Sequence, residues 1–260
     1  MLTDLEGPAM IFGFDQTRLP EAADQMAQSK RLLTLEVNAC VDGILDVDPD
    51  AEILVWDGHG SGGIDYERFH DRAELMAGRG VRAPYGLDET FAALFFVGQH
   101  AMAGTPDAPL AHTYSSRTVE YYRLNGVPIG EFGMRAYLAG TLFNVPTAFC
   151  SGDDKAVAEA QALVPNLVGV VTKVGLGLEA ARSLAPSRAR ALIRAGAADA
   201  CRQVQVGAIP PTRSEPPYRF EVRVLPGQEA SLTGYLKRGA VQRDERTAIV
   251  ESNDPLAVFR

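Results

Sequence analysis

Short apolar runs alternate with segments of helical character along most of this chain, and this alternation restricts the possible folds more than any other feature. The runs have the length of buried strands and lie at 52–56, 94–97, 146–150 and 168–173. Helical spacing or helix-start residues predict helices at 22–44, 131–143, 155–163 and 186–204. Strand, helix and strand in succession indicate right-handed α/β crossovers and therefore a sheet with helices packed on it.

The predicted fold class is α/β, because 260 residues of which 46% are hydrophobic can fill one large core with a small addition. A further strand is predicted at 118–124, and Asn125-Gly126 after it should reverse the chain, which predicts a mixed sheet. We expect a three-layer α/β/α domain at 1–207. Prolines between 209 and 217 mark an internal boundary, and a small C-terminal α+β appendage is expected at 208–260.

Two local predictions complete the secondary structure. Residues 218–225 alternate apolar and charged side chains as a half-buried strand does, and 247–250 could pair with them. The segment 71–77 is expected to be helical or irregular.

Composition argues against several classes of function. The formal net charge of −8 gives no basic surface for nucleic acid or an anionic membrane. The first residues lack the pattern of a signal peptide, and no apolar run approaches the roughly 20 residues that span a bilayer. Cys40, Cys150 and Cys201 are widely spaced and are expected to be reduced thiols. We therefore expect a cytoplasmic protein.

Five residues that can bind metal stand near the ends of apolar runs: Asp4, Glu6, His59, His100 and Glu131. Polar groups at strand ends can converge on one cleft. Three carboxylates and two imidazoles suit an open catalytic site rather than a closed structural zinc site, and they exceed the needs of one ion. The set is therefore compatible with two divalent ions that share a carboxylate such as Asp4 and activate water.

Each of these residues also has a purely structural interpretation. Asp4-Leu5-Glu6-Gly7 could be a solvated turn, and Glu131 could be a helix-start carboxylate favoured by the helix dipole. Asp57 could orient a ligand or cap the glycine-rich loop that follows it. Ser115 and Ser116 lack the Gly-x-Ser-x-Gly elbow of a nucleophile, which favours a structural role.

An ordered set of motifs resembles one known family, the D-aminopeptidases of the dipeptide-operon type, or M55 metallopeptidases. The resemblance covers residues 1–204, and an ordered set is far more specific than any single motif. In chain order the motifs are Asp4-Leu5-Glu6-Gly7, Glu36-Val37-Asn38-Ala39, Asp57-Gly58-His59-Gly60, Gly98-Gln99-His100-Ala101-Met102-Ala103-Gly104-Thr105, Leu110-Ala111-His112-Thr113-Tyr114, Leu124-Asn125-Gly126, Gly130-Glu131-Phe132-Gly133 and Ser151-Gly152-Asp153-Asp154.

The resemblance implies a two-zinc aminopeptidase that releases N-terminal D-amino acids from short peptides such as D-Ala-D-Ala. It implies that Asp4 bridges the ions, that Glu6 and His59 complete one, and that His100 and Glu131 complete the other. His112 matches the family's additional catalytic histidine, and an imidazole can move the proton that the leaving amine needs. The family also implies a homo-oligomer, possibly a decameric ring. His and carboxylate ligands would accept Mn or Co as well.

Two other functions agree with the same residues. A related metal-dependent amidohydrolase could act on another small amide with the same ions. A non-catalytic homologue could bind peptides without cleaving them, although such a protein needs no water-activating pair of ions. Assays on D,D-dipeptides and on other amides separate these functions.

Overall fold

The computed structural model describes residues 1–18 and 23–259, so Ala22 at the start of the predicted helix 22–44 lies outside it. The strands are β1 (Leu2–Thr3), β2 (Ile53–Asp57), β3 (Ala73–Met76), β4 (Leu94–Gln99), β5 (Val119–Leu124), β6 (Val127–Pro128), β7 (Thr147–Asp153), β8 (Val168–Gly177), β9 (Ala180–Ser183), β10 (Tyr218–Val224), β11 (Val241–Asp244) and β12 (Thr247–Ser252).

The helices are α1 (Ala23–Leu45), α2 (Glu131–Phe143), α3 (Asp154–Leu163), α4 (Pro186–Gln205), α5 (Thr233–Leu236) and α6 (Leu256–Phe259). Short 3₁₀ turns occur at Phe14–Gln16, Tyr66–Arg68 and Glu229–Leu232. Across the two described ranges, every helix is too short or too polar to cross a membrane. The four long helices lie where helical character predicted them, within one or two residues at each end.

A seven-stranded sheet forms the centre of the molecule, with the order β3-β2-β1-β4-β7-β8-β9. Its neighbouring strands run parallel from β3 to β8, and only β9 is antiparallel, paired with β8. The sheet is therefore mixed as predicted, but the reversal comes from the β8–β9 hairpin and not from Asn125-Gly126.

Helices cover both faces of this sheet. On β8, the Cα of Gly169 faces Val157 of α3, whereas the flanking Val168 and Val170 approach Gly196 of α4. Successive residues of a strand point to opposite faces, so α3 and α4 lie on opposite sides. Helix α1 lies against α4, and α2 shares the side of α3. The predicted three-layer α/β/α arrangement is confirmed.

The second sheet is antiparallel and has the strand order β11-β12-β10-β5-β6. It differs from the expected C-terminal appendage because two of its strands, β5 and β6, come from before residue 208. The predicted strands at 118–124, 218–225 and 247–250 all form, and the turn at Asn125-Gly126 connects β5 to β6. This hairpin joins the C-terminal strands because Phe220 and Val222 of β10 pair with it in register. Strands from both sides of residue 208 thus build one sheet, and the domain boundary stays a prediction.

The edge strand β3 corrects the expectation for 71–77. Its four residues pair in parallel with β2, from Ile53 opposite Ala73 to Trp56 opposite Met76. A segment this short contains too few residues for periodicity to distinguish a strand from an irregular segment. The pairing partner therefore determines its structure.

The ends of the parallel strands meet beside β1, where the order of the strands reverses. From β1 the chain proceeds to β2 and β3 on one side and then returns to β4 on the other. Backbones approach closely here: a Cβ on Gly152 would lie 1.9 Å from the Gln99 carbonyl oxygen, and one on Gly98 would lie 2.2 Å from that of Asp4. In open α/β sheets this switch point is where ligands bind.

Candidate metal centre and active site

The switch point brings all six predicted site residues together. Asp4 and Glu6 follow β1, His59 follows β2, and His100 directly follows β4. Glu131 is the first residue of α2, and His112 lies in the loop between β4 and β5. Asp4, Glu6, His59, His112 and Glu131 line one open cavity of about 430 Å³, and His100 is buried beside Asp4.

The potential ligand atoms form two clusters. In the first, Asp4, Glu6 and His59 have donor atoms within 4.8 Å of one another, and His59 Nε2 lies 3.2 Å from Glu6 Oε1. In the second, His100, His112 and Glu131 meet the same limit. Three donors of this type within such a distance suit a divalent ion.

Asp4 also reaches the second cluster. Its Oδ2 atom lies 3.3 Å from His100 Nε2, which is itself 3.4 Å from Glu131 Oε1. His112 stacks on His100 with ring centroids 4.0 Å apart, and its Nε2 is 3.9 Å from Glu131 Oε1. A carboxylate between two donor clusters has the geometry that a bridging ligand requires.

The two stacked imidazoles are oriented for binding through Nε2. The Nδ1 of His100 lies 2.9 Å from the Ala101 carbonyl oxygen, and that of His112 lies 2.7 Å from the Leu110 carbonyl oxygen. Because a carbonyl only accepts, each Nδ1 carries a proton, and Nε2 presents its lone pair to the carboxylates when the ring is neutral.

Two buried atoms of the clusters make no well-aligned hydrogen bond to any residue that the structure describes: Glu6 Oε2 and His100 Nε2. Buried polar atoms usually have partners, and leaving one without a partner costs about 1–3 kcal/mol. Both atoms belong to residues predicted to hold metal. The donor set therefore fits a pair of divalent cations.

Burial and charge shift the pKa values of the clustered groups. Burial, reinforced by the nearby Glu6, raises the pKa of Asp4 to about 7. Burial acts in the same direction on Glu131, but close contact with the charged ring of His100 outweighs it and lowers the pKa of Glu131 to about 2. Burial opposes protonation of His59, yet the charge of Glu6 raises the pKa of His59 to about 9. Positive charge on these histidines thus stabilises the neighbouring ionised carboxylates, as a bound cation would.

Other polar residues have structural roles. The Asp57 carboxylate accepts hydrogen bonds from the Gly63 and Ile64 amides, at 2.8 and 3.4 Å, and so caps the glycine-rich loop that carries His59. Asp153 accepts from the Lys155 and Ala156 amides as the N-cap of α3.

Lys173 is a supporting residue that the sequence alone did not reveal. Its side chain is fully buried, and Nζ donates to the carbonyl oxygens of Glu6, Pro8 and Ile11. The ammonium therefore holds the loop after β1, which carries the carboxylates of Asp4 and Glu6. The available signal was a lysine at the end of the predicted strand 168–173, since a charge in a buried strand needs partners.

An α/β sheet with two His and carboxylate clusters at its switch point defines a class: metal-dependent hydrolases with a two-metal site. A family model for M55 peptidases, described as D-aminopeptidase, matches residues 1–260. A D-aminopeptidase of Bacillus subtilis (strain 168) is 32% identical over 197 residues, which are 74% of this chain and 69% of that protein. The chain belongs to the M55 family of D-aminopeptidases.

A solved structure agrees with this assignment. It is that of the Zn-dependent D-aminopeptidase DppA from Bacillus subtilis, a self-compartmentalizing protease. The two folds superpose with a TM-score of 0.89 at 25% sequence identity, covering 100% of this chain and 94% of that chain. The similarity therefore includes the second sheet as well as the seven-stranded sheet.

We expect Lys173→Met to weaken metal binding about 10- to 100-fold, because the loop that carries Asp4 and Glu6 loses its buried anchor. The loss of three hydrogen bonds from a charged donor should also lower the free energy of unfolding by roughly 3 kcal/mol. Zinc titration and urea unfolding measure the two effects. Lys237→Met, at an exposed lysine, is the control. Unchanged zinc affinity in Lys173→Met would contradict the anchoring role.

Proposed function

We propose that this protein is a zinc-dependent aminopeptidase that releases N-terminal D-amino acids from short peptides such as D-Ala-D-Ala. The observation that carries the proposal is the pair of donor clusters joined by Asp4 in one open cavity. Membership of the D-aminopeptidase family and the fold shared with a Zn-dependent member support the choice of reaction and metal.

Five residues would hold the ions. Asp4 would bridge them, Glu6 and His59 would complete one site, and His100 and Glu131 the other. When bound, the two ions would supply Lewis acidity toward the amide carbonyl and toward the nucleophilic water. Mn or Co could occupy the same ligands.

His112 would move the proton. Burial and the charge of His100 lower the pKa of His112, so its ring is neutral at pH 7, with the Nδ1 proton directed at the Leu110 carbonyl. The Nε2 lone pair can accept a proton from the attacking water and return it to the leaving amine nitrogen. The position of His112 at the cavity wall, stacked on a buried neighbour, supports this role.

We further propose that the protein is cytoplasmic and forms a homo-oligomer. Three free cysteines are compatible with a reducing compartment. The relative DppA is a self-compartmentalizing protease, and two exposed leucines, Leu176 at the end of β8 and Leu178 just after it, supply apolar surface for contacts between chains. A decameric ring stays a prediction from the family resemblance.

The proposed reaction is tested by incubating the zinc-loaded protein with D-Ala-D-Ala and measuring free D-alanine. We expect release from the D,D-dipeptide and much slower release from L-Ala-L-Ala. A chelator should abolish the activity, and added zinc should restore it. Full activity after complete metal removal would contradict the mechanism, and binding of the dipeptide without release would identify a non-catalytic homologue. Hydrolysis of acyl amides alone would identify an amidohydrolase of another specificity.

The different roles of the histidines are separated by three alanine variants. His100→Ala should bind less zinc, because a buried ligand is lost. His112→Ala should keep two zinc ions but lose about 10²- to 10⁴-fold in kcat, as expected for a proton-transfer residue. His70→Ala is the control, since His70 contacts Asp42 away from the cavity. Loss of one zinc in His112→Ala would show that His112 is a ligand.

The assembly is tested by light scattering after size exclusion. Ten chains of 28.0 kDa would give a particle of about 280 kDa. A smaller closed oligomer would support association between chains but contradict the ring of ten. A particle of one chain at micromolar concentration would contradict both.

A further inference from the structure

The cavity has basic residues in its lining, although the proposed metal ligands are mostly acidic. Arg18, Arg117 and Arg135 line it together with Ser115 and Ser116. Two bound divalent ions would more than offset the three carboxylates. The cavity as a whole would then favour an anionic substrate.

Arg18 is held at the cavity in a defined orientation. Its Nη2 donates a hydrogen bond to the Ser116 Oγ, and its guanidinium carbon lies 3.6 Å from the centroid of the Phe14 ring. Stacking on an aromatic ring and a hydrogen bond at one edge together fix the plane of the guanidinium. A planar fork of N–H donors in a fixed position matches the geometry of a carboxylate.

We propose that Arg18 binds the C-terminal carboxylate of the substrate and so selects very short peptides. This inference rests on the proposed function, because it assumes that the substrate is a peptide cleaved between the two clusters. The inference depends on one observation: the fixed Arg18 guanidinium lines the same cavity as His112.

Distance limits the length of the peptide. The Phe14 ring also contacts His112, with 6.3 Å between the ring centroids. Because both side chains contact the same Phe14 ring, the Arg18 guanidinium carbon is at most about 10 Å from the centroid of the His112 ring. One extended residue spans about 3.3–3.6 Å, and a hydrogen bond at each end adds about 3 Å. A single residue after the cleaved bond is thus enough to reach Arg18.

The other two arginines are less suited to this role. Arg135 is buried, with its guanidinium carbon 4.0 Å from the ring centroid of Tyr85 and 5.1 Å from that of Tyr114. It therefore packs among aromatic rings that support the cavity. Arg117 is exposed, so a carboxylate bound there would remain largely in water, where ion pairs contribute little.

The test compares two substrates that differ only in the terminal charge: D-Ala-D-Ala and its C-terminal amide. We expect the zinc-loaded wild-type protein to prefer the acid by about 10- to 100-fold in kcat/KM, mainly through KM, because the contact is remote from the cleaved bond. Arg18→Gln should bring the ratio of acid to amide close to one. Arg18→Lys should retain part of the preference, since it keeps the charge and loses the fork. Arg188→Gln, at an exposed position on α4, should keep the wild-type ratio.

Three results would overturn the inference while leaving the aminopeptidase activity established. They are equal wild-type rates on acid and amide, an unchanged ratio in both Arg18 variants, and loss of the preference in Arg117→Gln but not in Arg18→Gln. Hydrolysis of neither substrate by the zinc-loaded wild-type protein would instead overturn the proposed function, and this inference with it.

Discussion

The whole site depends on the buried ammonium of Lys173. Asp4 and Glu6 lie on a loop without regular secondary structure, yet their carboxylates must be held in fixed positions. The loop carbonyls at Glu6, Pro8 and Ile11 converge on Nζ, and the Ala9 amide donates to the buried Glu36. Strand β8 and helix α1 thereby fix the loop that follows β1, at the cost of burying charged groups.

This anchoring explains how a hydrolytic site can occupy the middle of a parallel sheet. Near the ends of β4 and β7, Gly98 approaches the Asp4 carbonyl and Gly152 approaches the Gln99 carbonyl so closely that neither position has room for a side chain. The carboxylates and imidazoles therefore converge on one small volume. The three buried carboxylates repel one another and are tolerable at this distance only with positive charge among them, which two divalent cations would supply.

The sequence indicated part of this arrangement and could not indicate the rest. Asp4, His59 and His100 were predictable because they follow strands whose ends meet at the switch point of a parallel sheet. The partners of Lys173 lie more than 160 residues away in the chain, so local patterns do not reveal them. The β5–β6 hairpin was recognisable from Asn125-Gly126, but tertiary pairing with β10 placed it in the second sheet. Whether the predicted ligands bind metal stays a proposal.

Anomalous diffraction at the zinc edge, from crystals of the zinc-loaded protein, tests the central claim most directly. Two peaks are expected about 3.5–4 Å apart, both within bonding distance of Asp4. One should lie beside Glu6 and His59 and the other beside His100 and Glu131. A single peak, or two peaks that do not share Asp4, would contradict the proposed two-metal centre.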